Sequence, residues 1–351
     1  MNRPKTLQRA IKLILFAMPL AVIGNIVYTA LTAGNTGFQA ILGIPWFWLA
    51  LALFFSLTPW IFAILRVKTW NSFFNLKLSH RDLFEIVLAN DVAAAATPTA
   101  VGGGYAKIGL LIYHGVKPGL SASLMVIGSL EDYVSMALVV PICWLLSPPE
   151  HISLQILFNK IFLSASHLNG VLPVTVITVS SAAIFVWAIP ATRGFFIKTI
   201  NFGWWQKKIV KPLKGVFYDF GQAFALISKG GKLLFAMNVL LAAIQWIMRY
   251  SIFTIMAAGL GLHPHPVSFF LLQWLVFMFM NFVPTPGAIG GAEVVFALVF
   301  KGTVPPELIP VAAGAWRFVS TYLQLMIAAL LMIIIEKPSL KSKHRASVSP
   351  S

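Results

Sequence analysis

Cysteine, acidic residues and charge of either sign are scarce in this chain. Its 351 residues include one cysteine and 10 Asp and Glu, and only 10% of them are charged. The single cysteine, Cys143, excludes a disulfide framework and a cysteine-ligated metal site. Soluble domains are about 25% charged and about 45–50% apolar. The hydrophobic content of 58% and the mean hydropathy of +0.84 therefore exclude an ordinary soluble domain and indicate an integral membrane protein.

Basic residues outnumber acidic ones, and their positions follow a pattern. The 26 Lys and Arg give a formal charge of +16, and 20 of the 26 flank long apolar stretches, in residues 1–12, 66–81, 191–232 and 337–351. Basic residues gather in the cytoplasmic loops of membrane proteins. We therefore take these segments as cytoplasmic. Nucleic-acid binding is not indicated, since no nucleic-acid recognition motif accompanies the charge.

Long apolar runs define the topology. A membrane-spanning helix needs about 20 apolar residues, which predicts six spans, at 13–31, 43–65, 118–146, 168–190, 233–260 and 308–335. The first is interpreted as a retained helix, because no convincing signal-peptide cleavage site follows it. Residues 191–232 mix lysines with aromatic residues, as an interfacial helix on an anionic leaflet does. Both termini are predicted to be cytoplasmic, with a basic tail at 336–351.

Two further apolar segments are interrupted by proline and glycine. The first has arms at 83–97 and 105–116, and its break contains Pro98, Gly102, Gly103 and Gly104. The second has arms at 267–283 and 292–301, and its break contains Pro284, Pro286, Gly287, Gly290 and Gly291. Each arm is too short to span the membrane comfortably, so we predict two re-entrant hairpins, candidate gates that line buried or water-filled space. Because basic residues mark the cytoplasmic loops, the first hairpin is predicted to enter the membrane from the cytoplasm and the second from outside.

A constant shift of 186 residues relates the two breaks. It aligns Pro98 with Pro284, Thr99 with Thr285, Gly104 with Gly290, Gly128 with Gly314, Glu131 with Arg317 and Ser135 with Thr321. We therefore predict one transmembrane domain, residues 1–351, built from two halves of opposite orientation, 1–146 and 168–335. Inverted repeats with interrupted helices are a transporter architecture, with the substrate site near the repeat interface. The repeat also favours an ion pair between Glu131 and Arg317.

Seven ionisable residues lie well within the predicted membrane segments: Asp91, Lys107, Glu131, Asp132, Arg249, Glu293 and Arg317. Each isolated charge at mid-membrane costs about 2.5–3.5 kcal/mol. Most of them must therefore pair with one another or face a hydrated cavity. Helical spacing supports this, because polar residues recur on one face of each of the spans 118–146, 233–260 and 308–335.

Three interpretations of these charges stay open. They hold the helix bundle together, or they line a polar cavity that admits a charged headgroup, or they carry catalysis or a proton relay. In the second interpretation, which we favour, Lys107, Arg249 and Arg317 attract phosphate, and the acids orient these bases or contact a cationic part of the substrate. The candidate substrate-binding residues are Lys107, Glu131, Asp132, Arg249, Glu293 and Arg317.

No metal, cofactor or catalytic residue is assigned from the sequence. His263 and His265 flank a proline in a short loop, which is weak support for a metal site. Gly102–Gly104 belong to no nucleotide-binding loop, because no G-x-x-x-x-G-K-[ST] motif follows.

The two breaks and their charges resemble those of the flippase-like family named for the transmembrane region of lysylphosphatidylglycerol synthase. The resemblance extends over about residues 10–335. The stretch from Pro284 to Glu293 is similar to that family's Pro-Gly-Gly-x-Gly-x-x-Glu hairpin. The first break with Lys107, followed by Glu131, is similar to its first hairpin and acidic helix. The chain departs from the pattern at Tyr105 and Asp132, where members often carry an acidic residue and an arginine.

This resemblance implies a stand-alone lipid translocator without the synthase domain. It would move the headgroup of a phospholipid or a polyprenyl-linked lipid across a bacterial-type cytoplasmic membrane. Its partners would be membrane lipids that are anionic or carry phosphate, and it would be neither an enzyme nor dependent on a cofactor. The alternatives are an intramembrane enzyme that acts on a lipid through Glu131, Asp132 or Glu293, and a non-transporting scaffold of an envelope assembly.

Overall fold

The computed structural model describes residues 43–97, 100–148, 230–283 and 285–336, together with Gln39 and Ala225. Contacts divide the chain into two units, one of Met1–Pro148 with Gly231–Ser351 and one of Pro149–Gly230. Nearly all of the second unit lies outside the described residues. So do the predicted spans 13–31 and 168–190, most of the segment 191–232 and the tail beyond residue 336.

The described residues form helices and no β-strand, which confirms the all-α prediction for this part of the chain. Ten α-helices are numbered here in chain order: α1 (Trp46–Phe73), α2 (His80–Ala95), α3 (Gly102–Tyr113), α4 (Pro118–Leu146), α5 (Lys232–Tyr250), α6 (Ile252–Gly259), α7 (Pro266–Met280), α8 (Gly291–Phe300), α9 (Ile309–Arg317) and α10 (Gln324–Glu336). Only Ser251 separates α5 from α6, and a π-helical turn, Phe318–Leu323, joins α9 to α10.

Four helical stretches in the described residues are long and apolar enough to cross a membrane. They are Trp46–Phe73, Pro118–Leu146, Lys232–Gly259 and Pro306–Ile335, each of 28 to 30 residues. At 1.5 Å per residue each measures roughly 42–45 Å, more than the ~30 Å of a bilayer core. Large apolar side chains such as Phe54, Leu138 and Leu240 are exposed on them, as expected of surfaces that contact lipid. Four of the six predicted spans coincide with these stretches.

The two hairpins open toward opposite ends of the long helices. In the first hairpin, α2 packs against α3, and its arms connect to the end of α1 and the start of α4. In the second, α7 packs against α8. Ser147, just past the end of α4, forms a 2.9 Å hydroxyl–hydroxyl hydrogen bond with Ser268 at the start of α7. The base of the second hairpin therefore lies at the end of α4, one bundle length from the base of the first.

Local sequence explains where the arms of the hairpins begin. Ser79 caps α2, and the side chains and backbone of Ser79 and Asp82 form a reciprocal capping box. In the second hairpin, α7 begins at Pro266, and the ring of His265 accepts a hydrogen bond from the Ser268 backbone. His265 thus caps a helix at the start of α7.

The glycines of the first break lie inside a helix, which differs from the sequence prediction. Gly102, Gly103 and Gly104 form the first turn of α3, whereas Pro98 lies outside the described residues. The physical reason is close approach of the two arms. A Cβ atom at Gly102 would lie 2.7 Å from the carbonyl oxygen of Ala93 in α2, and one at Gly103 would lie 2.8 Å from that of Asn90.

The tips of the two hairpins meet. In the second break, Gly287 and Gly290 have positive φ angles of 60° and 82°, a conformation that favours glycine. The turn Pro286–Ala288 packs against α2, and a Cβ at Gly287 would lie 3.5 Å from the carbonyl oxygen of Ala95. Pro284 and the side chain of Pro286 lie outside the described residues.

We expect Gly102→Ala to destabilise the protein by about 1–3 kcal/mol, because the backbone carbonyl of Ala93 has no room for the added methyl group. Gly109→Ala, on the same helix, is the matched control, because in the part of the chain that the structure describes no atom outside its own helix lies within 4 Å of the added Cβ. Thermal unfolding of the full chain in detergent measures both. Equal unfolding midpoints for the two variants would contradict the close packing of α2 on α3.

Candidate functional site

Two adjacent cavities lie within the helix bundle. The first, about 220 Å³, is enclosed by α1, α2, α3, α4 and α5 and carries six charged side chains: Arg66, Asp91, Lys107, Glu131, Asp132 and Arg249. The second, about 690 Å³, lies between α4, α5, α7, the second break and the C-terminal helices, and most of its lining is apolar. Asp91, Ser129, Asp132 and Arg249 line both cavities. These four residues therefore form the boundary between them.

Arg66 of α1 is the centre of the first cavity's polar network. Its Nε donates to Glu131 Oε2 at 3.0 Å, and its Nη1 donates to Asp132 Oδ1 at 2.7 Å and to Gln245 Oε1 at 3.0 Å. Its Nη2 donates to the carbonyl oxygen of Gly128 at 2.9 Å. A guanidinium group held by two carboxylates and two further acceptors is fully satisfied, as a buried charge must be. Arg66 thereby ties α1 to α4 and α5.

The two carboxylates have further donors that fix them in place. Glu131, which is 1% exposed, accepts from Trp70 Nε1 at 2.7 Å and from Asn238 Nδ2 at 2.9 Å. Asp132 Oδ1 accepts from Trp246 Nε1 at 2.9 Å. Both carboxylates are thus held by hydrogen-bond donors from α1 and α5.

Arg66 is a buried charge that the sequence did not reveal, and the partner predicted for Glu131 is wrong. The predicted second span ends at residue 65 and leaves Arg66 among the cytoplasmic loop charges, but α1 continues to Phe73 and buries it. The predicted pair of Glu131 with Arg317 is also wrong, because Glu131 pairs with Arg66 at 2.9 Å and Arg317 lies 3.4 Å from Glu293. Arg66 precedes Trp70 by one helical turn, and this pairing of a charge with a polar aromatic was the available signal.

An ion pair lies on the boundary between the cavities. Arg249 Nη2 donates to Asp91 Oδ2 at 3.4 Å, and Asp91 Oδ2 also accepts from Trp60 Nε1 at 2.9 Å. The Arg249 guanidinium lies 5.7 Å from the ring centroid of Trp246, within cation–π range. This pair is longer than the Arg66 pairs, and 22% of the Arg249 side chain is exposed compared with 8% of the Arg66 side chain. It is therefore the weaker of the two charge contacts across the bundle.

Lys107 of α3 points its ammonium group toward the first cavity without a direct partner. Among the described residues it forms no hydrogen bond or ion pair within 4 Å, although it lines the cavity together with Arg66, Glu131 and Asp132. Each of the other cations in this cavity contacts a carboxylate. Lys107 is thus the cation in this cavity that is available to an incoming anion.

Arg317 and Glu293 lie on the other side of the boundary. Arg317, 1% exposed, lines the second cavity and donates from Nη2 to the carbonyl oxygen of Gly287 at 2.6 Å and from Nη1 to Thr321 Oγ1 at 3.1 Å. Its Nε lies 3.4 Å from Glu293 Oε1 on α8. Arg317 therefore links the C-terminal helices to both the break and the second arm of the second hairpin.

The structure thus divides the predicted site residues between two cavities. Lys107, Glu131, Asp132 and Arg249 line the first cavity together with Gly104, and Arg317 and Gly287 line the second. Glu293 contacts Arg317, while Gly290 and Gly291 begin α8.

These features define an all-α integral membrane protein whose apolar spans enclose charged cavities. The chain belongs to the family of the lysylphosphatidylglycerol synthase transmembrane region, whose model matches residues 10–328. The resemblance found from the two breaks is therefore confirmed. The chain is similar to a UPF0104 membrane protein of Archaeoglobus fulgidus, with 20% identity over 319 residues, which cover 89% of this chain and 94% of that protein. No solved structure matches the chain at a significant level.

Proposed function

We propose that this protein translocates the headgroup of an anionic or phosphate-bearing membrane lipid, a phospholipid or a polyprenyl-linked lipid. The observation that carries the proposal is the ammonium group of Lys107, which faces the first cavity without a carboxylate partner among the described residues. A cation without a carboxylate partner is costly at membrane depth unless it has a role. A phosphate oxygen in the cavity supplies the missing partner.

Three cations mark a path for the phosphate. Lys107 lines the first cavity, Arg249 the boundary and Arg317 the second cavity. The second cavity is larger and mainly apolar, with Met136, Phe277 and similar side chains in its lining, so it suits the part of the lipid next to the headgroup. We propose that the two hairpins gate this path from opposite sides. No nucleotide-binding motif accompanies the chain, so translocation is proposed to run downhill or on an ion or potential gradient.

The positions of the basic segments support a location in the cytoplasmic membrane with both termini inside. Three exposed or connecting basic residues lie near the base of the first hairpin: Lys68 near the end of α1, Lys77 in the connection and Arg81 at the start of α2. They support a cytoplasmic position for this base. The first cavity is then the one nearer the cytoplasm, because Leu76 and Leu78 of this connection line it.

Reconstitution of the purified full chain into liposomes tests the proposal. Lipids labelled on an acyl chain, one with an anionic phosphoglycerol headgroup and one with a zwitterionic headgroup, are followed by chemical quenching of the outer leaflet. We expect exchange of the anionic lipid to be at least about tenfold faster than in protein-free vesicles, since a charge-assisted contact contributes roughly 1.5–3 kcal/mol. Exchange at the rate of empty vesicles for every lipid class, polyprenyl phosphate included, would refute it.

The enzyme and scaffold alternatives have less support. A general acid or base needs a carboxyl group that is free to exchange a proton with substrate, but Glu131 and Asp132 are each held by Arg66 and by an indole donor. Mass spectrometry of the lipids after incubation decides the enzyme alternative through a change in lipid mass. A scaffold predicts that Lys107 and Arg249 variants lose no function beyond any loss of stability.

We expect Arg249→Gln to slow exchange of the anionic lipid about tenfold with little loss of stability. The substitution removes the cation shared by both cavities, and the ion pair that it breaks is partly exposed and therefore contributes only about 0–1 kcal/mol. Lys301→Gln, an exposed cation after α8, is the control and should exchange lipid at the wild-type rate. If Arg249→Gln exchanges the anionic lipid at the wild-type rate, Arg249 is not part of the proposed path of the phosphate.

A further inference from the structure

Helices α3 and α4 contact each other through two reciprocal glycine contacts. A Cβ at Gly104 of α3 would lie 2.6 Å from Met125 Cε of α4, and a Cβ at Gly128 of α4 would lie 3.0 Å from Lys107 Nζ of α3. Gly104 and Lys107 are three residues apart and therefore share one face of α3. Met125 and Gly128 are also three residues apart and share the facing side of α4. Each helix thus accommodates a long side chain of the other above a glycine.

The Gly128 backbone is firmly placed. Gly128 is buried, and its carbonyl oxygen accepts a 2.9 Å hydrogen bond from Arg66 Nη2. Arg66 in turn is held by Glu131 and Asp132. A side chain added at Gly128 therefore cannot be accommodated by a shift of α4 without straining this network. The flexible end of Lys107 is what must move.

We infer that Gly128 is a positioning residue, whose missing side chain leaves the space in which the Lys107 ammonium is held against α4 at the wall of the first cavity. This inference rests on the proposed function, in which that ammonium binds a phosphodiester or phosphomonoester oxygen. Beyond its own helix, Lys107 Nζ is the one atom of the described residues within 4 Å of a Cβ at Gly128, so the space serves this one group. Gly128 affects lipid binding through the position of the amine.

The test compares Gly128→Ala with Gly119→Ala in the full chain. Gly119 lies in the first turn of the same helix, and beyond that helix no atom of the described residues lies within 4 Å of its added Cβ. Gly128→Ala should slow exchange of the labelled anionic lipid about three- to tenfold. The melting temperature of this variant should stay within about 2 °C of wild type, since only the end of the Lys107 side chain is displaced. Gly119→Ala should match the wild type in both measurements. Wild-type exchange by Gly128→Ala overturns the inference.

A double-mutant cycle separates positioning from a merely structural role. Lys107→Ala removes the group that Gly128 accommodates, so Gly128→Ala should cause no further loss of exchange in that background. Independent, multiplicative losses from the two substitutions would overturn the inference.

A second readout does not depend on transport. In detergent, acylation of the Lys107 amine by a small amine-reactive ester is quantified by mass spectrometry relative to exposed Lys117. Gly128→Ala should raise the Lys107 to Lys117 ratio at least about twofold, because the added methyl group moves the amine toward the cavity. An unchanged ratio overturns the inference whatever the transport result. A raised ratio in a protein that exchanges no lipid leaves the positioning intact and refutes the proposed function instead.

Discussion

Replacing Arg66 with methionine is expected to destabilise the folded protein by about 3–5 kcal/mol, the usual cost of removing one partner from a buried ion pair. The loss is large because Glu131, only 1% exposed, would keep its charge with indole and amide donors alone. Asp132 would lose its 2.7 Å ion pair in the same step. The measurement is denaturation of the full chain in mixed detergent micelles, with folded protein recovered after solubilisation as a second readout.

Lys68→Met is the matched control for this prediction. Lys68 lies two residues further along α1 and is exposed, so its replacement should change stability by less than about 0.5 kcal/mol. Adding Glu131→Gln to Arg66→Met should recover part of the loss, because the amide carries no buried charge. If Arg66→Met unfolds at the wild-type denaturant concentration, the network around Arg66 does not hold the bundle together.

Lys107→Met should abolish most lipid exchange without reducing stability. The substitution keeps the apolar part of the side chain and removes the cation that lacks a carboxylate partner among the described residues. A lost charge-assisted contact with phosphate contributes about 1.5–3 kcal/mol, which corresponds to roughly a ten- to hundredfold fall in exchange. Stability should stay equal or rise, because a charge without a partner is unfavourable at membrane depth.

Lys117→Met is the corresponding control, since Lys117 is exposed between the first hairpin and α4. It should exchange lipid at the wild-type rate. The anionic lipid should be slowed more than a zwitterionic one in Lys107→Met, because the ammonium group of a zwitterionic headgroup offsets the charge of its phosphate. A fall in the unfolding midpoint that accounts for the lost exchange would assign Lys107 a structural role, and wild-type exchange would remove it from the lipid site.

Together these two variants separate the interpretations that the sequence left open. Arg66, Glu131 and Asp132 satisfy one another and belong to the network that holds the helices, whereas Lys107 does not. A loss of stability in Arg66→Met with a loss of exchange in Lys107→Met would show that one cavity contains both kinds of charge.

The four predicted spans that fall within the described residues coincide with long helices, because the bilayer constrains such helices strongly. Runs of apolar residues bounded by basic loops leave few alternatives, and the predicted span 118–146 coincides with α4. The breaks were equally visible, since proline and clustered glycine interrupt any apolar helix. The placement of Gly102–Gly104 was wrong because glycine in a helix and glycine in a loop look alike in sequence. Only the approach of Ala93 and Asn90 from α2 distinguishes them.

The partners of the charges could not be predicted in the same way. Arg66 ends an apolar run, where a buried arginine and a cytoplasmic one have the same sequence context. Its partners lie 65 and 66 positions further along the chain, and which of several acids it meets depends on helix packing. The repeat aligned Glu131 with Arg317, but positions related by a repeat occupy equivalent places in two halves and need not touch. Proximity across the bundle decides the pairing.

The contact between the hairpin tips limits how the two hairpins can move. The tips approach each other closely, since a Cβ added at Gly287 would lie 3.5 Å from the carbonyl oxygen of Ala95, although the arms extend from opposite ends of the bundle. In the proposed translocator, one tip would therefore retreat as the other advances along the membrane normal. The two faces of the membrane would then open in turn, and no stage would leave a continuous water column through which ions could leak.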